Sequence, residues 1–256
     1  MKMLMLAGLM SLGQLVQGVA SPASRSLNSS ILSYYPSPAP NGDGVLVVPG
    51  GGYQAVSLDY EGAQAQAWLN ERGYHVWVLN YTVASTAPAP IYPVPQNQAA
   101  EAVNQIRALD SVKKLGIWGF SAGGHLSATT VTNPDVERNL DFAILAYPVI
   151  TMDPSFTHSG SRTNLIGENP SIELQSSLSG ENRVTNSTPP VFLFHTANDA
   201  AVPVKNSLVF AEALAKHGRK FSILILPDGP HGIALALDDP ARTWTAELER
   251  FLKNLV

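Results

Sequence analysis

Six short, almost wholly apolar runs punctuate this chain, and longer stretches with helical spacing separate them. The runs are VLVVP from Val45, HVWVLNY from His75, LGIWGF from Leu115, FAILAYPV from Phe142, VFLFH from Val191 and FSILILP from Phe221. A strand with apolar side chains on both faces must be covered on both sides, a condition met inside a parallel sheet flanked by helices. The intervening stretches are DYEGAQAQAWLNERG, closing on Gly73; QNQAAEAVNQIRAL, after Pro95; NSLVFAEALAKHG, closing on Gly218; and PARTWTAELERFLKNL, opening on Pro240. They carry the glycine and proline punctuation of helix ends. Strands and helices alternating in this way predict an α/β fold with a doubly wound, mainly parallel sheet.

With 256 residues and 45% hydrophobic content the chain can bury one substantial core, and no repeat or second domain is visible. Residues 1–20 read as a signal peptide: Lys2 precedes an apolar run over 3–10, and the small residues Gly18, Ala20, Ser21 and Ala23 offer cleavage near 20–23. That run, interrupted by Ser11, Gly13 and Gln14, is too short for a stable membrane span; its alternative is a buried N-terminal helix. A Ser/Pro-rich connector over 21–42 and a single domain over 43–256 complete the expected organisation, and the expected location is secreted or periplasmic. The chain has no cysteine, which removes disulfides, thiolate metal sites and a cysteine nucleophile. A net charge of −4 with scattered Lys and Arg leaves no basic stripe for nucleic acid. No metal or cofactor is expected, because the six histidines form no H-E-x-x-H pattern and no dinucleotide fingerprint occurs. N-x-S/T patterns at Asn28, Asn80 and Asn186 matter only in a host that glycosylates.

The chemistry concentrates after LGIWGF. Gly119-Phe120-Ser121-Ala122-Gly123 follows a predicted strand and opens a helix of small residues, the setting of a nucleophile elbow. A serine hydroxyl needs a base, and the base needs a partner that fixes its tautomer. Asp199, after VFLFH, and His231, after FSILILP, stand beyond strand ends in the order Ser, acid, His. Of the other histidines, His195 lies within its strand, His217 ends a helix, His75 begins a strand, His125 packs behind the elbow and His158 falls in a polar insertion; all five read as structural. Asp228 and Asp153 compete less well than Asp199 for the acid, and Asp238 and Asp239 read as a turn. An oxyanion hole needs N–H donors aimed at the developing charge. Gly50, Gly51 and Gly52 directly follow the first apolar run, and Ala122 N–H follows the serine; the alternative for the glycines is a flexible turn or phosphate cradle, which Tyr53 suits poorly. Residues 151–190 form the polar insertion, expected as a partial lid above the carboxyl edge of the sheet.

The segments VVPGGGYQAVSLDYEG, AWLNERGYHVWVLNY, IWGFSAGGHLSA, TPPVFLFHTANDAAVPVKNSLVFAEALAKHG and GPHGIAL resemble the α/β-hydrolase superfamily over 47–235. Within it they are most similar to small esterases that include acetyl xylan esterases and related carbohydrate esterases. The resemblance implies Ser121 as nucleophile, His231 as base, Asp199 as its orienting acid, and Gly51, Gly52 and Ala122 as oxyanion donors. It further implies a secreted serine esterase that removes short acyl groups, acetyl above all, from xylan or xylo-oligosaccharides, with a small-molecule or carbohydrate ester as its partner. Tyr53 and Tyr92, with Phe156, fall in loops expected near the site, where they stack on pyranose faces or simply pack. Two positions depart from the family pattern, Thr82 where Arg is usual and Gln98 where Asp is usual. The rival readings are a general carboxylesterase, a peptidase of the prolyl oligopeptidase type, which ordinarily carries a further large domain not expected here, and a non-catalytic binding module.

Overall fold

Val45 and Val47 turn their side chains to one face of a sheet, Leu46 and Val48 turn theirs to the other, and all four are fully buried. That period of two, repeated along neighbouring strands, divides the core into two apolar layers. The computed structural model describes residues 28–109 and 112–255. The expected signal peptide over 1–20 and the first part of the connector lie outside the described residues.

The strands in chain order are β1 Leu32–Tyr35, β2 Gly44–Val48, β3 His75–Leu79, β4 Leu115–Phe120, β5 Phe142–Ala146, β6 Val191–Thr196 and β7 Phe221–Leu226. They lie side by side as β1-β3-β2-β4-β5-β6-β7, every pair parallel except β1 with β3. The helices are α1 Ala63–Asn70, α2 Val94–Arg107, α3 Ser121–Val131, α4 Ser159–Ile166, α5 Ile172–Ser177, α6 Lys205–Lys216 and α7 Thr245–Lys253. Side chains of α2, α3 and α6 pack on the face that holds Leu46, Ile117 and Leu193. Those of α1 and α7 pack on the face that holds Val47, Trp118 and Phe194. On this second face Trp244 stacks on Phe194, with ring centres 4.5 Å apart and planes 9° from parallel, and on Phe192 at 5.9 Å. Each such aromatic pair adds roughly 0.5–1.5 kcal/mol beyond its buried area.

Three expectations need correction. The connector contains a strand: β1 pairs antiparallel with β3 and covers its outer edge. Half of its residues are exposed, so its sequence lacks the apolar run that marks the other strands. The last helix begins at Thr245, not at Pro240. Asp239 holds the residues before it in a turn, accepting Ala241 N–H at 3.0 Å and pairing with Arg242 at 2.8 Å. Finally, β7 is an edge strand whose Ser222 and Ile223 are exposed, so only the five strands β2 to β6 satisfy the expectation of two covered faces.

The strand order reverses between β2 and β4, because β3 was added on one side of β2 and β4 on the other. A crevice opens at such a switch point above the carboxyl ends of the strands, and that is where the glycine-flanked serine emerges.

Candidate active site

Ser121 is the first residue of α3, directly after β4, and its φ of 50° lies in the left-handed region that non-glycine residues avoid. The glycines around it answer to crowding. A Cβ on Gly119 would run into the Gly123 backbone and the Ser127 side chain, and a Cβ on Gly123 would meet the carbonyls of Val48 and Pro49. The strand-to-helix turn therefore closes tightly only with glycine at both positions, and it lifts the serine to the carboxyl edge.

There Ser121 Oγ lies 2.8 Å from His231 Nε2, and His231 Nδ1 lies 2.7 Å from Asp199 Oδ2. The carboxylate can only accept, so Nδ1 carries the hydrogen and Nε2 is free to accept from the serine hydroxyl. This is the tautomer a general base requires. Asp199 is buried, and its other oxygen accepts Ala201 N–H and Val202 N–H at 2.9 Å each. Burial pushes its carboxyl upward, but His195, His231 and Val202 N–H more than offset that and hold it well below the usual carboxylate range. The loops carrying the acid and the histidine are tied together, since Thr196 Oγ1 donates to Gly229 O at 3.0 Å and Gly229 N–H donates to Asn198 Oδ1 at 2.9 Å.

The glycine turn after β2 stands beside this pair. Gly51 and Gly52 have φ of 126° and 66°, and a Cβ on Gly50 would touch Ser121 Cβ at 2.9 Å. Gly50 N–H is already committed to Glu61 Oε2 at 2.6 Å. Gly51 and Gly52 N–H make no hydrogen bond among the described residues, and Ala122 N–H is in the first turn of α3, where helical N–H groups lack an intrahelical acceptor. The polar insertion holds the turn from above, because Asn164 of α4 donates to Gly52 O at 2.9 Å.

Glu61 and Tyr147 escaped the reading of the sequence. Both are buried; Tyr147 OH donates to Glu61 Oε1 at 2.9 Å and accepts Ala234 N–H at 2.9 Å, and its ring meets the His231 ring edge-on at 5.1 Å. Burial raises the Glu61 carboxyl, while hydrogen bonds from Gly50 and Tyr147 and the nearby His231 work against it. The only sequence signals were a carboxylate amid small residues ahead of α1 and a tyrosine directly after the apolar run of β5.

Tyr53 requires a correction: it is fully buried, its hydroxyl lies 2.8 Å from His125 Nδ1, and no ring face is open to a sugar. Tyr92 is exposed, but with Gln96 and Arg183 it lines a cleft of about 130 Å³ that contains none of Ser121, Asp199 and His231. Phe156 carries Lys205 Nζ over its ring at 4.0 Å. Thr82 and Gln98, the two departures from the family pattern, bond to each other: Thr82 N–H donates to Gln98 Oε1 at 2.8 Å and Gln98 Nε2 donates to Thr82 Oγ1 at 3.0 Å. A neutral pair thus links the positions where the pattern has a cation and an anion.

His125 is buried, with Nε2 2.7 Å from Leu178 O; His195 is buried against Ser207 and Val202; His158 caps α4. Beside His231 a cleft of about 510 Å³ is bordered by Asn198, Asp228 and Arg242. A larger one, about 610 Å³, lies at the amino ends of the strands among Asp43, Lys114 and Glu249 and holds no residue of the serine site. Among the described residues no helix is long and apolar enough to cross a membrane.

A parallel sheet with a serine on the strand-to-helix turn of β4, an acid after β6 and a histidine after β7 defines an α/β-hydrolase. The sequence profile of the prolyl oligopeptidase family matches residues 96–256, and the chain belongs to that family. It is 36% identical over 219 residues to endo-1,4-beta-xylanase B of Butyrivibrio fibrisolvens, covering 79% of this chain and 34% of that protein. It is 34% identical over 227 residues to an acetylxylan esterase of Xylanibacter ruminicola, covering 84% of this chain and 45% of that protein. The chain thus spans less than half the length of these two relatives. Among solved structures, the acetyl ester-xyloside bifunctional hydrolase of Caldicellulosiruptor lactoaceticus superposes with a TM-score of 0.78 at 37% identity, covering 88% of this chain and 87% of the other.

Proposed function

We propose that this chain is a serine esterase that removes short acyl groups, acetyl above all, from hydroxylated saccharides such as xylan or its oligomers. The observation that carries the reading is the unbroken relay from Ser121 Oγ through His231 to Asp199, at 2.8 and 2.7 Å. In this reading His231 Nε2 takes the hydroxyl proton as Ser121 attacks the ester carbonyl, and Asp199 steadies the imidazolium. The N–H groups of Gly51, Gly52 and Ala122 receive the oxyanion. His231 then returns the proton to the departing alcohol, and water repeats the sequence on the acyl-serine.

The acetyl and xylan parts draw on the names of the relatives, an acetylxylan esterase and an acetyl ester-xyloside hydrolase. The cleft beside His231 carries Asn198, Asp228 and Arg242 among Ala200, Ala201 and Pro230, a mixed border that suits a saccharide with its hydroxyls and apolar ring faces. Export follows from the reading of residues 1–20, and detection of a mature chain beginning near residue 21–24 outside the cytoplasm tests it. The experiment for the reaction is a panel of nitrophenyl esters from acetyl to decanoyl plus acetylated xylan, with wild type and Ser121→Ala side by side. Acetyl fastest, acetate released from xylan and a dead variant are expected; equal rates for variant and wild type overturn the reading. Activity on the nitrophenyl esters alone points to a general carboxylesterase. The family match favours a second reading, in which the same relay cleaves peptide or acyl-amino acid bonds. Release of amino acids from proline-containing peptides, faster than acetate from xylan, would select it.

A further inference from the structure

Glu61 belongs to neither the triad nor the oxyanion donors, yet it touches the supports of both. It lies just ahead of α1, is 4% exposed, and pairs with no Lys or Arg among the described residues: its two oxygens are spent on Gly50 N–H at 2.6 Å and Tyr147 OH at 2.9 Å. Gly50 opens the glycine turn and sits against Ser121. Tyr147, held at a φ of 36°, passes the connection on to Ala234 N–H and packs its ring against His231. A buried carboxylate with two short bonds and no counter-ion is an expensive way to fill space, since burial disfavours its charged form. We propose that Glu61 is a positioning residue that pins the oxyanion turn and the histidine segment to one another, so that donors and base keep their spacing around Ser121 as charge develops.

This rests on the serine-esterase reading above. Two carboxylate bonds connect the end of β2 to the end of β5, and Tyr147 carries them to the segment after β7; neither loop is then free to drift alone. Displacement of about 1 Å at a reacting centre costs on the order of 100-fold in rate. Glu61→Gln keeps the size but removes the negative charge and gives the Tyr147 hydroxyl or Gly50 N–H an amide N–H to face instead of an acceptor. Tyr147→Phe keeps the ring on His231 and removes only the link from Glu61 to Ala234.

The test measures kcat and KM for nitrophenyl acetate, stability by denaturant titration, and fluorophosphonate labelling of Ser121 in wild type, Glu61→Gln and Tyr147→Phe. Loss of roughly 10- to 100-fold in kcat with KM changed less than about threefold is expected for both variants. A residue that merely fills space would cost stability without this selective loss of kcat over KM. If Glu61→Gln does not fold, Tyr147→Phe must still show the kcat loss, and wild-type kcat there overturns the proposal. Wild-type kcat in a folded Glu61→Gln overturns it too, with the esterase reading intact. A wild type that neither hydrolyses esters nor takes the label overturns both.

Discussion

His195 Nε2 stands 3.4 Å from Asp199 Oδ2, the same oxygen that receives His231 Nδ1–H at 2.7 Å. The hydrogen on His195 Nε2 goes to Val202 O at 2.9 Å, while Val202 N–H returns to Asp199 at 2.9 Å. The acid is thus seated in a loop that the buried histidine of its own strand closes from below.

Two substitutions separate these roles. Asp199→Asn loses the acceptor that fixes the His231 tautomer, and kcat is expected to fall by about 10³- to 10⁴-fold with little change in the thermal midpoint. His195→Ala leaves the carbonyl of Val202 and the hydroxyl of Ser207 without a buried partner, and a stability loss of about 1–3 kcal/mol by denaturant titration is expected. A stable His195→Ala protein with the activity of Asp199→Asn contradicts this division.

His125 makes stability depend on pH. Its Nε2–H donates to Leu178 O and its Nδ1 accepts from Tyr53, so the fold holds it neutral; burial lowers it from 6.5 to about 4. The unfolded chain therefore binds a proton that the folded chain refuses between pH 6.5 and 4. Stability from this group is complete above pH 6.5, falls as pH drops through that window, and levels off near 4. Between pH 7 and 5 the loss is about 2 kcal/mol. His125→Asn, less stable at neutral pH, should lose correspondingly less over the same interval in urea titrations; an equal loss would place the sensitivity elsewhere.

Gly51→Ala forces a side chain onto a residue with φ of 126° whose Cβ would run into the Ala55 carbonyl. The turn must shift, and with it the donors beside Ser121. A drop in kcat of at least about tenfold is expected, of the size seen when an oxyanion donor is displaced. Retention of wild-type turnover would remove this turn from the site.

Trp244→Ala removes the ring stacked on Phe194 and Phe192 and the 2.8 Å bond from its Nε1 to Ala234 O. A loss of about 3–5 kcal/mol is expected from the cavity. Because Ala234 also donates to Tyr147, kcat should fall along with stability, read at a temperature where the variant remains folded.

The strands from β2 to β6 were legible because burial on both faces fills them almost wholly with apolar side chains, and the order Ser121, Asp199, His231 was legible because each follows an apolar run. What escaped detection depends on contacts distant in sequence or on local turns. Glu61 and Tyr147 meet across 86 residues, and nothing near either announces the other. Tyr53, adjoining three glycines, looked like an exposed loop aromatic; its φ of 56° instead turns the ring inward to His125. The four residues of β1 gain their place from the edge of β3, not from a pattern of their own. Pro240 suits a first helical position, but the side chain of Asp239 takes the Ala241 amide and the Arg242 guanidinium and holds these residues in a turn.

The left-handed backbone at Ser121 means that the reactive residue is also one the fold would exchange at a profit. A non-glycine residue in that region is disfavoured by about 1–2 kcal/mol, and glycine adopts it freely. A descendant released from the need for a hydroxyl could gain robustness in one step by Ser121→Gly. Endurance and reactivity pull in opposite directions at this position, and the tight packing around it is what lets the serine stay.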